Sequence, residues 1–214
     1  MEDKNEHLEA LTEIRSLMER SSRFISLSGL SGVSAGVFAL AGAAMVYRYL
    51  HLEITSPWNY DEVLNMGSGE FNHMFFFFMA DALCVLAASL VAGVFFTVRK
   101  AKMARLKIWD STVKRLLINM FIPLVAGGLF CLALMFHHII GVVPPAVLIF
   151  YGLACVNASK YTLTDIRYLG LTEIALGLIA LVFLEYSLLF WAIGFGVVHI
   201  IYGIIMYYKY ERLD

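Results

Sequence analysis

Long uninterrupted runs of apolar residues constrain this chain more than any other feature of its sequence. A helix needs ~20 apolar residues to cross the ~30 Å hydrocarbon core of a bilayer, and several runs reach that length. Of the 214 residues, 60% are hydrophobic and only 15% are charged. A soluble domain of this size needs far more charge to cover its surface. The sequence therefore predicts a polytopic membrane protein.

The apolar runs divide the chain into six predicted transmembrane helices. Their approximate bounds are 24–47, 74–98, 116–136, 142–158, 169–184 and 188–208. The expected fold class is all-α, with residues 23–208 forming a six-transmembrane-helix bundle. The fourth and fifth runs are short, so these helices are expected either to be little tilted or to extend beyond the bounds given.

The positions of the basic residues predict the orientation of the bundle. Lys and Arg close to transmembrane helices stay in the cytoplasm during insertion. With six spans, all of the 16 basic residues except Arg48 fall on the side that holds both termini. The N-terminus and the C-terminal tail, residues 209–214, are therefore expected in the cytoplasm, with the chain as a multi-pass protein of the cell membrane.

Residues 1–22 are expected to form a cytoplasmic amphipathic helix before the first span. Apolar residues recur there at three- and four-residue steps, as at Leu8, Leu11 and Ile14. Such a helix lies either on the bilayer surface or beneath the bundle.

Two loops differ in their charge. The outer loop, residues 48–73, carries Glu53, Asp61, Glu62 and Glu70. It either places its aromatic residues at the headgroup boundary or acts as a plug, a cap or a binding loop. The loop of residues 99–115 is strongly basic and lies on the cytoplasmic side. It is either the orientation signal alone or also a site for anionic lipid headgroups.

The candidate headgroup ligands are the basic residues at the start of that loop. They are Arg99, Lys100, Lys102, Arg105 and Lys107. The loop is too short to suggest a nucleic-acid partner, so the expected partner is the lipid bilayer.

Small residues in the first span predict close helix packing. Ser28, Gly32 and Gly36 recur every four residues, which gives a G-x-x-x-G ridge with a serine extension. Ridges of this kind let two helices approach closely in lipid. The partner is either another span of the chain or a second subunit, which leaves a homo-oligomer or a membrane partner open.

The segment from Arg15 to Gly32, RSLMERSSRFISLSGLSG, is similar to the start of small uncharacterised bacterial inner-membrane proteins. No activity is known for that group, so the resemblance assigns no functional residue. It implies a location in the bacterial inner membrane.

The tetrapeptide Gly29-Leu30-Ser31-Gly32 resembles the G-x-S-G motif of rhomboid intramembrane proteases. That family also has six spans and a histidine on the last span, where this chain carries His199. The chain departs from the family because Ser31 lies on the first span, near the cytoplasmic face, and the family's second histidine-asparagine motif has no equivalent.

Ionisable residues within the apolar runs are the strongest candidates for function, because a charge in hydrocarbon is costly and usually faces the bundle interior. Asp81 and His199 are expected at comparable depths, each on a face of small residues. They would form a hydrogen-bonded pair if spans 2 and 6 were neighbours. Such a pair either relays a proton, binds a polar ligand or pins the helices together. Glu173 and Asn119 are further candidates for a ligand site or a proton path.

Three histidines near the outer side suggest a metal site as a weaker hypothesis. They are His73, His137 and His138, and Asp81 could complete the set. Imidazole nitrogens suit zinc, copper or iron, but these residues are scattered along the chain. The three cysteines fall inside apolar runs without a C-x-x-C spacing, and no cofactor motif is evident.

Three functional hypotheses follow. The leading one is a non-enzymatic membrane protein that moves or senses a small solute or a proton, with Asp81 and His199 at its centre. The second is a structural or regulatory subunit that binds a partner through its small-residue helix faces. The third is an intramembrane enzyme, with or without a metal, although no residue is assigned a catalytic role.

Overall fold

The computed structural model describes residues 24, 27–53, 57–59, 63, 65–105 and 108–212. The predicted amphipathic helix of residues 1–22 lies outside the described residues, as do Asp61, Glu62 and Lys107. The described part of the chain is all-helical and contains no β-strand, apart from one isolated bridge between Phe24 and Thr162.

Six helices follow one another along the described part of the chain. The first five are α1 Gly29–Tyr49, α2 Ser68–Met103, α3 Ser111–Phe136, α4 Val143–Ala158 and α5 Asp165–Val182. The sixth, α6, is α-helical at Ser187–Trp191, π-helical at Ala192–Val198 and α-helical again at His199–Tyr210. Short 3-10 turns lead into α4, α5 and α6.

Five helical stretches are long and apolar enough to cross a membrane, which makes the structure compatible with an integral membrane protein. They are α1, α2, α3, the stretch Ile140–Tyr161 around α4 and the stretch Leu184–Tyr210 around α6. Helix α5 has only 18 residues, and three of them, Asp165, Arg167 and Glu173, are charged. Each of the other five contains an 18-residue window with at most two charged residues.

Helix α2 extends beyond the predicted span at both ends. Its 36 residues give a length of ~54 Å at 1.5 Å per residue. Its first turns bury Phe71 and Met74 against Trp58 of the outer loop, which explains why the helix begins before the hydrophobic run.

The helices pack mostly in neighbouring pairs. Helix α1 packs along both α2 and α6, and α4 packs along both α3 and α5. The first turns of α6 contact α4 and α5, which joins the two sets. Only 6% of the most apolar window of α2 and 11% of that of α3 is buried, against 44% for the stretch around α4. Helices α2 and α3 therefore form the periphery and leave broad apolar faces exposed.

Glycines set the close approach of α1 to α6. A Cβ atom on Gly203 would lie 2.5 Å from the backbone nitrogen of Val33 and 2.7 Å from the carbonyl oxygen of Gly29. A Cβ atom on Gly36 would lie 2.6 Å from the carbonyl oxygen of Gly196, and one on Gly32 would lie 3.1 Å from Cα of Gly203. The ridge of α1 thus lies against another helix of the same chain.

Helices α4 and α5 approach each other in the same way. A Cβ atom on Gly152 would lie 2.5 Å from the carbonyl oxygen of Gly170, and one on Gly170 would lie 2.6 Å from that of Gly152. This contact brings the middles of α4 and α5 together and positions the polar residues described below.

The described part of the outer loop packs over one end of the bundle. Trp58 is 7% exposed and clusters with Val63, Phe71, Met74 and Ile140. Its backbone N–H donates to the carbonyl oxygen of Glu185, in the turn before α6, at 2.9 Å. A cleft of about 530 Å³ opens beside this cluster, between Tyr49, Trp58, Glu70 and His73.

Candidate functional site

Three polar side chains from three helices meet inside the bundle. They are Tyr151 of α4, Glu173 of α5 and His199 of α6, and we call them the polar triad. Glu173 is 0% exposed and His199 is 5% exposed. Polar residues buried this deeply need partners, because an isolated charge in an apolar interior is very costly.

His199 holds the triad together through both ring nitrogens. Its Nε2 atom lies 2.8 Å from the hydroxyl of Tyr151, and its Nδ1 atom lies 3.0 Å from the carbonyl oxygen of Gly194. A neutral imidazole that donates from Nδ1 to Gly194 accepts a hydrogen bond from Tyr151 at Nε2. The ring of Phe195 stacks on the imidazole with a centroid distance of 5.5 Å and covers one of its faces.

The Glu173 carboxyl group is close to His199 but poorly satisfied. Its Oε1 atom lies 3.3 Å from Nδ1 of His199. Neither carboxyl oxygen makes a hydrogen bond of acceptable geometry to the described residues, because Nδ1 points its hydrogen toward Gly194. A fully buried carboxylate without a donor is stable only beside a positive charge or as a neutral acid.

Gly194 serves the triad in two ways. Its carbonyl oxygen faces His199, and a Cβ atom at this position would lie 2.5 Å from Oε2 of Glu173. It belongs to the π-helical segment Ala192–Val198. Single π-helical turns inside α-helices are frequent at functional sites, and this one stands immediately before His199.

The predicted pair of Asp81 and His199 is not formed. The carboxylate of Asp81 lies against α1, where a Cβ atom on Gly42 would be 3.2 Å from its Oδ2 atom. Its Oδ1 atom is buried and has no hydrogen-bond partner among the described residues. The nitrogens of His199 face Tyr151 and Gly194 instead. Helical periodicity placed His199 on a buried face, whereas the face of Asp81 is only partly covered and Cys84 on it is exposed; it could not show which helices are neighbours.

Asn119 lies away from the triad and joins α3 to α4. The side-chain amide of Asn157 donates to the backbone oxygen of Asn119 at 2.8 Å, and Asn119 donates to the carbonyl oxygen of Arg115 at 2.8 Å. These bonds account for the Asn119 side chain as a link between helices.

The histidines of the metal hypothesis are distributed over separate contacts. His73 lines the outer cleft, His138 stacks on Phe71 at a centroid distance of 3.9 Å, and His137 packs edge-on against Phe136. Within the described residues, no three His, Cys, Asp or Glu side chains are grouped closely enough to hold a metal ion.

Lys100 differs from the other basic residues proposed to bind headgroups. Its ammonium group donates to the carbonyl oxygen of Leu27 at 2.8 Å and lies 3.7 Å from Glu211. Lys100 is therefore engaged within the protein, whereas Arg99, Lys102 and Arg105 are exposed at the end of α2.

The serine of the rhomboid-like tetrapeptide also makes a different contact from the one that the resemblance implies. The hydroxyl of Ser31 donates to the carbonyl oxygen of Ser28 at 2.5 Å, within the first turn of α1. The structure pairs His199 with Tyr151, so it does not assemble a serine-histidine dyad.

No known protein family, curated protein or solved structure matches this chain.

Proposed function

We propose that this chain is a six-span integral membrane protein in which the polar triad binds and passes a proton, as part of moving or sensing a small solute. The proposal places both termini in the cytoplasm. The observation that carries it is the fully buried carboxyl group of Glu173, which lies beside His199 without a hydrogen-bond donor among the described residues.

The depth of the triad supports this proposal. Glu173 lies ~12 Å along α5 from Asp165, at 1.5 Å per residue, and so belongs to the middle of the helix. Ionisable residues at that depth in a membrane usually mark ion pathways or proton relays. Imidazole can accept a proton on one nitrogen and release one from the other, and a tyrosine hydroxyl both donates and accepts. The three groups thus provide adjoining positions for one proton.

A proton on Glu173 also explains how α5 serves as the sixth span in this proposal. Asp165, at its start, is bound by Lys209 and Tyr210 at the end of the bundle. Glu173 is the charged side chain in the middle of the helix, and protonation removes the cost of placing its charge in hydrocarbon. The short α5 is then a span whose central acid is neutralised within the bundle.

Asp81 is a separate candidate for proton binding in this proposal. It lies on a different helix pair from the triad, at the contact of α2 with α1, and its Oδ1 atom is buried without a partner. It offers a second carboxyl group at membrane depth rather than a partner for His199.

A structural or regulatory subunit is the second candidate function. It is favoured by the peripheral positions of α2 and α3, whose apolar faces are largely uncovered by the rest of the chain. Lipid covers such faces in the first proposal, and a partner protein covers one of them in the second.

Proton flux into vesicles tests the first proposal. The purified protein is reconstituted into liposomes that contain a pH-sensitive dye, and internal acidification is followed after an external pH jump. We expect the wild type to exceed protein-free vesicles and Glu173→Gln to fall to their rate. Glu185→Gln is the matched control, because Glu185 is exposed in the turn before α6, and it should keep the wild-type rate. Equal flux in the wild type and in folded Glu173→Gln would contradict proton passage through the triad.

A further inference from the structure

The end of α6 is hydrogen-bonded to the start of α1 and to the start of α5, at one end of the bundle. We call this the terminal face, where α1 and α5 begin and α2, α4 and α6 end. Three consecutive residues make the ties, and they are Lys209, Tyr210 and Glu211.

Glu211 binds the start of α1. Its carboxylate accepts hydrogen bonds from the backbone N–H of Gly29 at 2.5 Å and from the hydroxyl of Ser28 at 3.1 Å. The ammonium group of Lys100, at the end of α2, lies 3.7 Å away, and the side chains of Lys100 and Glu211 are only 17% and 14% exposed. One carboxylate thus connects three helices.

Lys209 and Tyr210 bind the start of α5. Lys209 donates to the carboxylate of Asp165 at 3.0 Å, and the Tyr210 hydroxyl donates to the same group at 2.5 Å. The segment before α1 completes the closure, because the backbone N–H of Phe24 donates to the carbonyl oxygen of Tyr161 and the hydroxyl of Thr162 donates to that of Phe24, both at 2.7 Å.

The contacts of Lys209 and Glu211 involve charged groups at helix ends, and they join α6 to the starts of α5 and α1. The first N–H groups of a helix have no partner within the helix, and a carboxylate there is also favoured by the helix dipole. Hydrogen bonds to charged groups are about twice as strong as neutral ones. Below the terminal face, glycines bring α1 close to α6, and side chains such as Leu40 against Gly196 and Ile200 against Gly36 fill the contact.

We propose that Lys209, Tyr210 and Glu211 form a clasp that holds the terminal face shut. Release of Glu211 frees the side formed by α1 and α2, and release of Asp165 frees the start of α5. The opposite end of the bundle carries the open cleft of about 530 Å³. Alternating access requires one end of a transport path to be closed while the other is open, and the clasp would supply the closure at the terminal face.

Hydrogen–deuterium exchange of the purified full-length protein tests the clasp without any assay of proton flux, so its result is independent of the proposed function. We expect Glu211→Ala to accelerate exchange in peptides covering the start of α1, roughly tenfold or more at Gly29, and to leave the start of α5 unchanged. Asp165→Asn should do the reverse. Lys100→Met, which removes the ammonium group beside Glu211, should also accelerate exchange at the start of α1. Lys102→Met is its matched control, since Lys102 is exposed on the same turn of α2. Unchanged exchange in Glu211→Ala, or an equal rise in all peptides, would overturn the proposal.

A second measurement tests whether loss of the Glu211 contacts exposes the terminal face to water. Ala101 is 0% exposed and follows Lys100 on α2. In a background without the native cysteines, Ala101→Cys should resist a membrane-impermeant thiol reagent and become reactive when Glu211→Ala is added. Faster exchange without new labelling would show that Glu211 only caps α1, and the clasp would then be rejected as a gate.

Discussion

His199 and Glu173 are adjacent without sharing a hydrogen bond. The Nδ1 atom of the histidine lies 3.3 Å from the carboxyl group but is directed to the carbonyl oxygen of Gly194, at 3.0 Å. The acid is therefore held next to a group that can be charged, yet it is not satisfied by that group. A proton on either residue relieves this mismatch, and the proposed proton binding rests on this contact.

The glycine contact between α1 and α6 should be sensitive to a single methyl group. In Gly203→Ala the new Cβ atom meets backbone atoms of Gly29 and Val33, which cannot rotate away. Overpacking of this kind costs about 1–3 kcal/mol of folding free energy. We expect a lower Tm in detergent by thermal unfolding.

Gly128→Ala is the control for that substitution. Gly128 lies in α3, and a Cβ atom there would have no neighbour within 4 Å. Because alanine favours helix formation over glycine, its Tm should be equal to or above that of the wild type. The packing account would be wrong if both alanine variants lowered Tm equally.

Removal of the Tyr151 hydroxyl should affect His199 directly. Tyr151→Phe leaves the Nε2 atom of the imidazole without its partner at 2.8 Å. An unsatisfied buried polar atom costs about 1–3 kcal/mol, so stability should fall, and proton flux should fall with it. Tyr168→Phe, at an exposed position of α5 that is 58% accessible, should change neither property. Flux as high in Tyr151→Phe as in the wild type would remove Tyr151 from the proton path.

The contact of Asp165 with the end of α6 should depend on pH. Burial alone would raise the pKa of this carboxyl group, but hydrogen bonds from Tyr210 and Lys209 outweigh that effect and lower it. A lowered folded-state pKa stabilises the folded protein above the unfolded value of ~3.9, and this contribution is lost as the pH falls through the folded value. Protection at the start of α5, taken as the exchange rate relative to that of an unfolded peptide at the same pH, should therefore fall in acid in the wild type and be less pH-dependent in Asp165→Asn.

A cysteine in place of Asp81 reports on water at the contact of α1 and α2. Because the Oδ1 atom of Asp81 is buried and the carboxylate lies against Gly42, we expect little labelling by an impermeant thiol reagent in the state described. A cysteine at His73, which lines the outer cleft, is the accessible control. Equal labelling at both positions would indicate that a water-filled path reaches residue 81.

The sequence was most informative about the helices. Long apolar runs predicted the helical segments because each must satisfy its own backbone hydrogen bonds in lipid. The spacing of Gly32 and Gly36 predicted a close helix contact, and the structure identifies α6 as the helix they meet. The partner could not be deduced because periodicity defines a face, not the helix that covers it.

The triad was only partly accessible to sequence reasoning. Glu173 and His199 were each recognised, but they were not paired with each other. A signal was available, since Glu173 and His199 are equally far along the chain from Tyr186, and Tyr151 and Glu173 are equally far from Thr162. Short turns make consecutive helices neighbours, so equal distances place these residues at one depth. The π-helical segment and the role of Gly194 had no such signal, because both depend on tertiary packing.

Infrared spectroscopy of the protonated carboxyl group tests the central claim most directly. The wild type, Glu173→Gln and Glu185→Gln are compared in lipid while the pH is varied, and the carboxylic acid band is recorded. We predict that a carboxylic acid band from a buried acid is present in the wild type and in Glu185→Gln and is missing in Glu173→Gln. A spectrum of Glu173→Gln identical to that of the wild type would mean that Glu173 does not bind the proton, and the triad would then be a structural contact.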